Sequence, residues 1–190
     1  MLFRSKFRAI VEINDMNIFY LDSNPKKCAE MHHDKHCSKM LVEYAQLMST
    51  AHRVLDGEKY IDKTAAGRRL QRWHHNNDEL YKASHINHPS NIWLRLSKNN
   101  YKFLYEMWCH LHDEFLKRYG KPHMSYTKLN KVLANPPKNC GDMPFTQPAQ
   151  TMPEDVKHQD SIIAYRNDYI KYKKDFATWK TSTPAWYKTA

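Results

Sequence analysis

The chain has 190 residues, a formal net charge of +10, a sequence pI near 9.4 and a mean hydropathy of −0.84. That length buries a sizeable core without staples, and the charge points to a polyanionic partner, nucleic acid before an anionic membrane. No apolar run approaches the ~18 residues of a membrane span. The N-terminus lacks the apolar stretch of a secretory signal, and Cys28, Cys37, Cys109 and Cys140 form no CxxC pair, so reduced thiols in the cytoplasm are expected.

From Phe7 to Leu21 two apolar runs flank Asn14-Asp15, the pattern of a short N-terminal β-hairpin. Met16 is a second candidate start codon, so residues 1–15 read as an extension and residues 16–190 as one domain. Ser23-Asn24-Pro25 then starts a helix read as continuous to Arg53, with Asn24 as cap and Pro25 in the first helical position. At 100° per residue, Cys37, Leu41, Tyr44, Met48 and Ala51 form a core stripe. His32, His36, Lys39, Glu43, Gln46 and Thr50 form a second stripe, unusual for a merely solvated face.

Glu58–Ser84 is polar and basic, with a short helix expected over Thr64–Trp73 and a functional loop around it. His85–Ser90 is turn-like. A long helix is expected from Asn91 to Tyr119, stopped by Gly120. A short one follows over Tyr126–Leu133, capped by Ser125. Asn135–Pro153 holds five of the nine prolines and reads as irregular. A last helix is expected over Asp160–Trp179, so the fold class is all-α, a compact helical fold with long irregular loops.

His32-His33-Asp34-Lys35-His36-Cys37 has metal-ligand residue types, but a zincin helix needs Glu directly after its first His, where this chain has His33. No metal and no cofactor are expected. There is no GxSxG and no Gly-rich phosphate loop, which argues against serine-hydrolase, Rossmann and kinase chemistry. What remains is Glu43 among His36 and Lys39. One negative group beside basic ones suits an oxocarbenium-like centre on a nucleic-acid sugar. The same spacing also makes an ordinary i,i+4 ion pair of Lys39 with Glu43.

Asp34-Lys35-His36, with Glu43 seven residues after the histidine, resembles the first helix of the endonuclease V-type pyrimidine-dimer DNA glycosylases. Phe103-Leu104 through Glu114-Phe115-Leu116-Lys117-Arg118 is similar to that family's long middle helix. The ending Pro184-Ala185-Trp186-Tyr187-Lys188 is similar to its Trp-Tyr-Lys tail. Asn87-His88-Pro89 with Trp93 resembles a motif of bacterial relatives. The resemblance implies a compact helical DNA glycosylase, with abasic-site lyase activity, in which an N-terminal α-amine attacks C1′ and Glu43 is the catalytic carboxylate. Met16 would supply that amine if it is the functional N-terminus. Asn17 departs from the small residue the family exposes there, leaving Lys35, Lys39 or a Glu43-activated water as replacements.

The expected partner is double-stranded DNA, bound by a monomer through His36, Arg53, Arg72, Asn87, His88, Arg95, Lys98, Trp186, Tyr187 and Lys188. Trp186 and Tyr187 are the residues expected to stack on an opened base step. The expected location is the cytoplasm, at the nucleoid, in the host cell if the protein is virus-encoded. Two alternatives stand beside this reading: a DNA-binding module without chemistry, and a base-modifying or nucleotide-processing enzyme on the same scaffold.

Overall fold

The structure, a computed structural model, describes residues 16–190. Among these residues the fold is mostly helical, with one two-stranded antiparallel sheet. Its elements are α1 (Pro25–Glu30), α2 (Asp34–Asp56), β1 (Glu58–Lys63), β2 (Arg69–His74), α3 (Pro89–Leu96), α4 (Lys98–Tyr119), α5 (Met124–Leu133), a 3-10 turn (Glu154–Val156), α6 (Ser161–Tyr172) and α7 (Ala185–Lys188). The N-terminal hairpin expected across Asn14-Asp15 lies largely outside the described residues. Its second run, Met16–Leu21, is buried and has no regular secondary structure.

Helix α2 is the central element. It packs on α3, α4 and α5, and the sheet leaves its C-terminal end. Its predicted core stripe, Cys37, Leu41, Tyr44, Met48 and Ala51, is fully buried. The indole of Trp108, in α4, donates to the Leu41 carbonyl (2.9 Å), so the largest core side chain buries its polar atom satisfied.

Asn24 and Pro25 start α1 as expected, the Asn24 side chain accepting from the Lys27 amide (3.0 Å). The helix does not run through to Arg53, however. It breaks at Met31–His33, where Nδ1 of His33 caps α2 by accepting from the His36 amide (3.3 Å). The break turns two carbonyls inward, and Arg118 of α4 takes both, His32 O at 2.7 Å and Glu30 O at 3.0 Å. The same guanidinium bonds Glu114 (3.1 Å) and Asp34 (3.3 Å). The Asp34 carboxylate also accepts from Lys180 N and Thr178 Oγ1, and its amide donates to Thr178 O, pinning the C-terminal segment to the start of α2.

The helix expected over Asn91–Tyr119 is two helices. Ser97 is extended (φ −150°, ψ 133°), bridges to Asp142 and caps α4 through its hydroxyl (3.0 Å to the Asn99 amide). Gly141 makes this crossing possible, because a Cβ there would lie 2.1 Å from the Leu96 carbonyl oxygen. Helix α5 begins two residues earlier than expected and is capped by His123, not Ser125. Helix α6 stops at Tyr172, well short of Trp179. Turns over Lys173–Ala177 then lead the chain towards Asp34.

The largest departure is at Glu58–His74, where a hairpin replaces the expected helix. Lys59 faces Trp73, Tyr60 faces Arg72, and Lys63 faces Arg69. A turn reverses the chain at Thr64–Arg68, with Gly67 at φ 77°, a conformation that disfavours residues with a Cβ. Gly57 joins α2 to β1 so closely that a Cβ on it would meet His74 O at 2.3 Å and Arg53 O at 2.4 Å.

Replacing Arg118 by Ala leaves two inward carbonyls without their donor and the Glu114 carboxylate with only the exposed Lys117 (2.7 Å), at a site where the arginine side chain is 0% exposed. Breaking such a buried pair costs about 3–5 kcal/mol. The urea midpoint of Arg118→Ala should fall accordingly at unchanged slope. A shift under ~1 kcal/mol would show that water replaces the guanidinium.

Candidate active site around Glu43

Glu43 lies near the middle of α2, its side chain 14% exposed, with Lys39 one turn before it at 3.4 Å. Towards the N-terminal end of the helix, the second stripe is covered by Met16–Leu21 and by α6. Tyr44 organises that cover. Its hydroxyl accepts from the Phe19 amide (3.1 Å) and lies 2.8 Å from His32 Nε2. His32 Nδ1 faces the Cys28 carbonyl at 2.8 Å. A carbonyl only accepts, so Nδ1 carries the proton and Nε2 accepts from the tyrosine. The Cys28 thiol donates to Phe19 O (3.2 Å) and accepts from Leu21 N (3.2 Å), and burial pushes its pKa up to about 12. The hydroxyl of Tyr44, both ring nitrogens of His32 and the Cys28 thiol are thereby all matched.

His36 is 5% exposed. Its ring stacks on Phe19 (centroids 4.0 Å apart), and Nδ1 lies 2.7 Å from the Tyr169 hydroxyl. The expected phosphate contact at His36 is therefore corrected. The ring is a buried strut between α2, the N-terminal segment and α6, because aromatic rings meet it from both sides. Lys173, at the end of α6, is 9% exposed, lies 3.9 Å from Asp168 and sits over the Phe19 ring at 6.0 Å. Phe19, Asp168, Tyr169 and Lys173 were not legible as the surroundings of His36. The link that brings them there joins residues 133 positions apart, and no local pattern announces it.

Of the other candidate amines, Lys35 is exposed and lies over the Phe176 ring (4.7 Å). Met16, in this chain an internal residue, is buried at the start of the covering segment.

The expected DNA contacts are spread along α2. At the C-terminal half, Thr50 Oγ1 accepts from the Ser84 amide (3.2 Å), docking the 84–88 loop about 10 Å along the helix from Glu43. That loop carries exposed Asn87 and also His88, whose Nδ1 caps α3. It includes His85 at φ 48°, strained backbone of the kind that clusters at functional sites. Arg95 is half-buried and donates to Ile86 O (2.7 Å), while Lys98 is half-exposed.

Arg53 is a correction. Its guanidinium is buried and spent on three carbonyls, Tyr81 O (2.7 Å), Leu80 O (2.8 Å) and Trp73 O (3.2 Å), so it anchors the segment after the sheet. Arg72 pairs with Asp62 (2.6 Å) beside a cleft lined by Tyr60, Trp73, His74 and Lys82. At the opposite end, Trp186 is half-buried between Arg166 and Tyr169 and donates to Met31 Sδ (3.4 Å). Tyr187 packs on Trp179 (4.7 Å), and Lys188 is exposed. Among the described residues no cluster of three or more His, Cys, Asp or Glu has metal-site geometry.

Burial holds His32 near pKa 4 and His33 near 3, and drives His36 well below the ordinary histidine value. Unfolded, these groups titrate at about 6.5. Stability is therefore complete above that value and is lost as pH falls towards 4, because only the unfolded chain takes up the protons. The slope is roughly 1.4 kcal/mol per pH unit for each histidine that stays neutral. Urea midpoints should decline steadily from pH 7 to pH 5, less steeply in His32→Gln. A flat profile would place water against these rings.

No protein-family model, curated protein or solved structure matches the chain.

Proposed function

We propose that the protein is a DNA N-glycosylase of the endonuclease V type, acting on a damaged or modified base in duplex DNA. The observation that carries the reading is Glu43 itself. It is a half-buried carboxylate with a lysine beside it, in a chain of net charge +10, and it follows Asp34-Lys35-His36 at the family interval. The expected DNA-contacting segments lie on either side of it along α2.

In this reading an amine of the chain, the Met16 α-amine if it is the functional N-terminus or else Lys35 or Lys39, forms a bond to C1′. The glycosidic bond breaks, and the base leaves with its electron pair and takes up a proton. Opening of the sugar ring gives an imine to the enzyme. Glu43 stabilises the positive charge on the sugar and accepts the C2′ proton whose loss expels the 3′ phosphate. An α-amine suits the first step because its pKa of about 7.7–8.0 leaves a neutral fraction at neutral pH.

The Lys39–Glu43 contact equally fits a DNA-binding module without chemistry, in which the carboxylate is only a structural ion-pair partner. Glu43→Gln separates the two. It keeps size and hydrogen bonding, and an i,i+4 helical ion pair contributes only about 0.3–0.5 kcal/mol, so the variant should fold and bind DNA. Nicking of abasic and lesion-bearing duplexes should fall at least ~10²-fold. Borohydride should trap wild-type protein on abasic DNA as a covalent adduct. An untrappable wild type whose nicking is unaffected by the substitution would leave only the binding module.

A further inference from the structure

We propose that the β1–β2 hairpin is a DNA-binding ribbon that enters the major groove of the duplex, with Lys63, Arg68 and Arg69 at its tip against the phosphates. This rests on the DNA-directed reading above and assigns it a surface that neither the Glu43 site nor the resemblance supplies.

Between Glu58 and His74 the chain carries five cations, Lys59, Lys63, Arg68, Arg69 and Arg72, against two carboxylates. Asp62 is already paired with Arg72 (2.6 Å), so the surplus gathers at the tip. Lys63 and Arg69 face each other directly across the strands. Like charges in that position are destabilising, and Arg68 adds a third at the turn. Among the described residues no carboxylate lies within ion-pair distance of these three. A local arrangement that works against the fold marks a site shaped by something else, and a polyanion relieves this one.

The packing agrees. No residue of either strand is buried, and Tyr60 and Ile61 are 46% and 49% exposed. A two-stranded hairpin with neither face covered is marginal in water. This one is held mainly at its root, through Gly57 and the bond from Arg53 to Trp73 O. Each strand has six residues, so the ribbon reaches about 20 Å from that root. Its tip, Thr64-Ala65-Ala66-Gly67, has only small side chains. Two strands about 4.8 Å apart fit a major groove ~12 Å wide, which admits a two-stranded ribbon.

The test uses the full chain, a lesion-free 25-base-pair DNA duplex and the matching RNA duplex, followed by fluorescence anisotropy over a salt series. The triple variant Lys63→Ala, Arg68→Ala, Arg69→Ala should bind DNA at least about tenfold more weakly, with a salt slope lower by about 2–3. Guanine N7 protection from methylation seen with wild type should disappear. The RNA duplex, whose deep, narrow major groove excludes a ribbon, should bind more weakly. Lys63→Glu keeps the result independent of folding. It replaces a like-charge pair by an opposite one across from Arg69, so the melting temperature should hold or rise while DNA affinity falls. Wild type that shows no salt-dependent DNA binding overturns the DNA-directed reading itself. Wild type that binds while the triple variant keeps its slope overturns the hairpin's role alone. Absent N7 protection or a preference for RNA overturns the major-groove placement.

Discussion

The arrangement of this protein depends on one buried cation. The chain interrupts its N-terminal helix at Met31–His33, which costs backbone hydrogen bonds and turns carbonyls into the interior. Arg118 reaches from the far end of α4 to satisfy them, and Glu114 and Asp34 balance its charge. Without the break, α1 would continue the axis of α2 instead of packing on α4. The covering segment that α1 holds through Cys28 would then lose its seat, and His36 and Tyr44 would be bare. Asp34 carries the same constraint to the C-terminal segment, since its carboxylate and amide hold residues 178–180.

The histidines are used as neutral acceptors and spacers. Nδ1 of His33, His88 and His123 caps a helix. A protonated ring has no acceptor nitrogen, so each cap requires the uncharged form. Cations nearby reinforce burial in the same direction. Arg118 acts on His32, and Lys173 acts on His33 and His36. The stripe that looked like an array of proton carriers is thus largely inert, and Lys39, Glu43 and Gln46 are what it leaves at the surface.

Much of the helical core was legible in the sequence because its signals are local. The apolar stripe of α2, the Asn24–Pro25 start and the Gly120 stop each depend on residues within a turn or two. The errors share one cause. The breaks at Met31–His33 and Ser97 are set by partners distant in sequence, Arg118 and the 140–143 segment, and these override a continuous helical pattern. The hairpin was misread because its arginine-rich second strand has good helix formers, while the turn that decides the matter hangs on Gly67. Glu43 and its ion pair with Lys39 were readable at i,i+4 spacing. The wall of Phe19, Tyr169 and Lys173 was not, since it is assembled from opposite ends of the chain.

Gly57 makes the molecule a ruler. Because the carbonyls of Arg53 and His74 both close on its Cα, the ribbon has no slack where it leaves α2. Helix and ribbon meet at one tight joint, with Glu43 on one arm and the cationic tip on the other. Thirteen residues separate Glu43 from the last residue of α2, a rise of about 20 Å. In the proposed DNA-directed reading that equals about six base pairs of duplex between Glu43 and the root of the ribbon, for a duplex lying along α2. The spacing between the ribbon's root and the carboxylate is thereby set by the length of one helix.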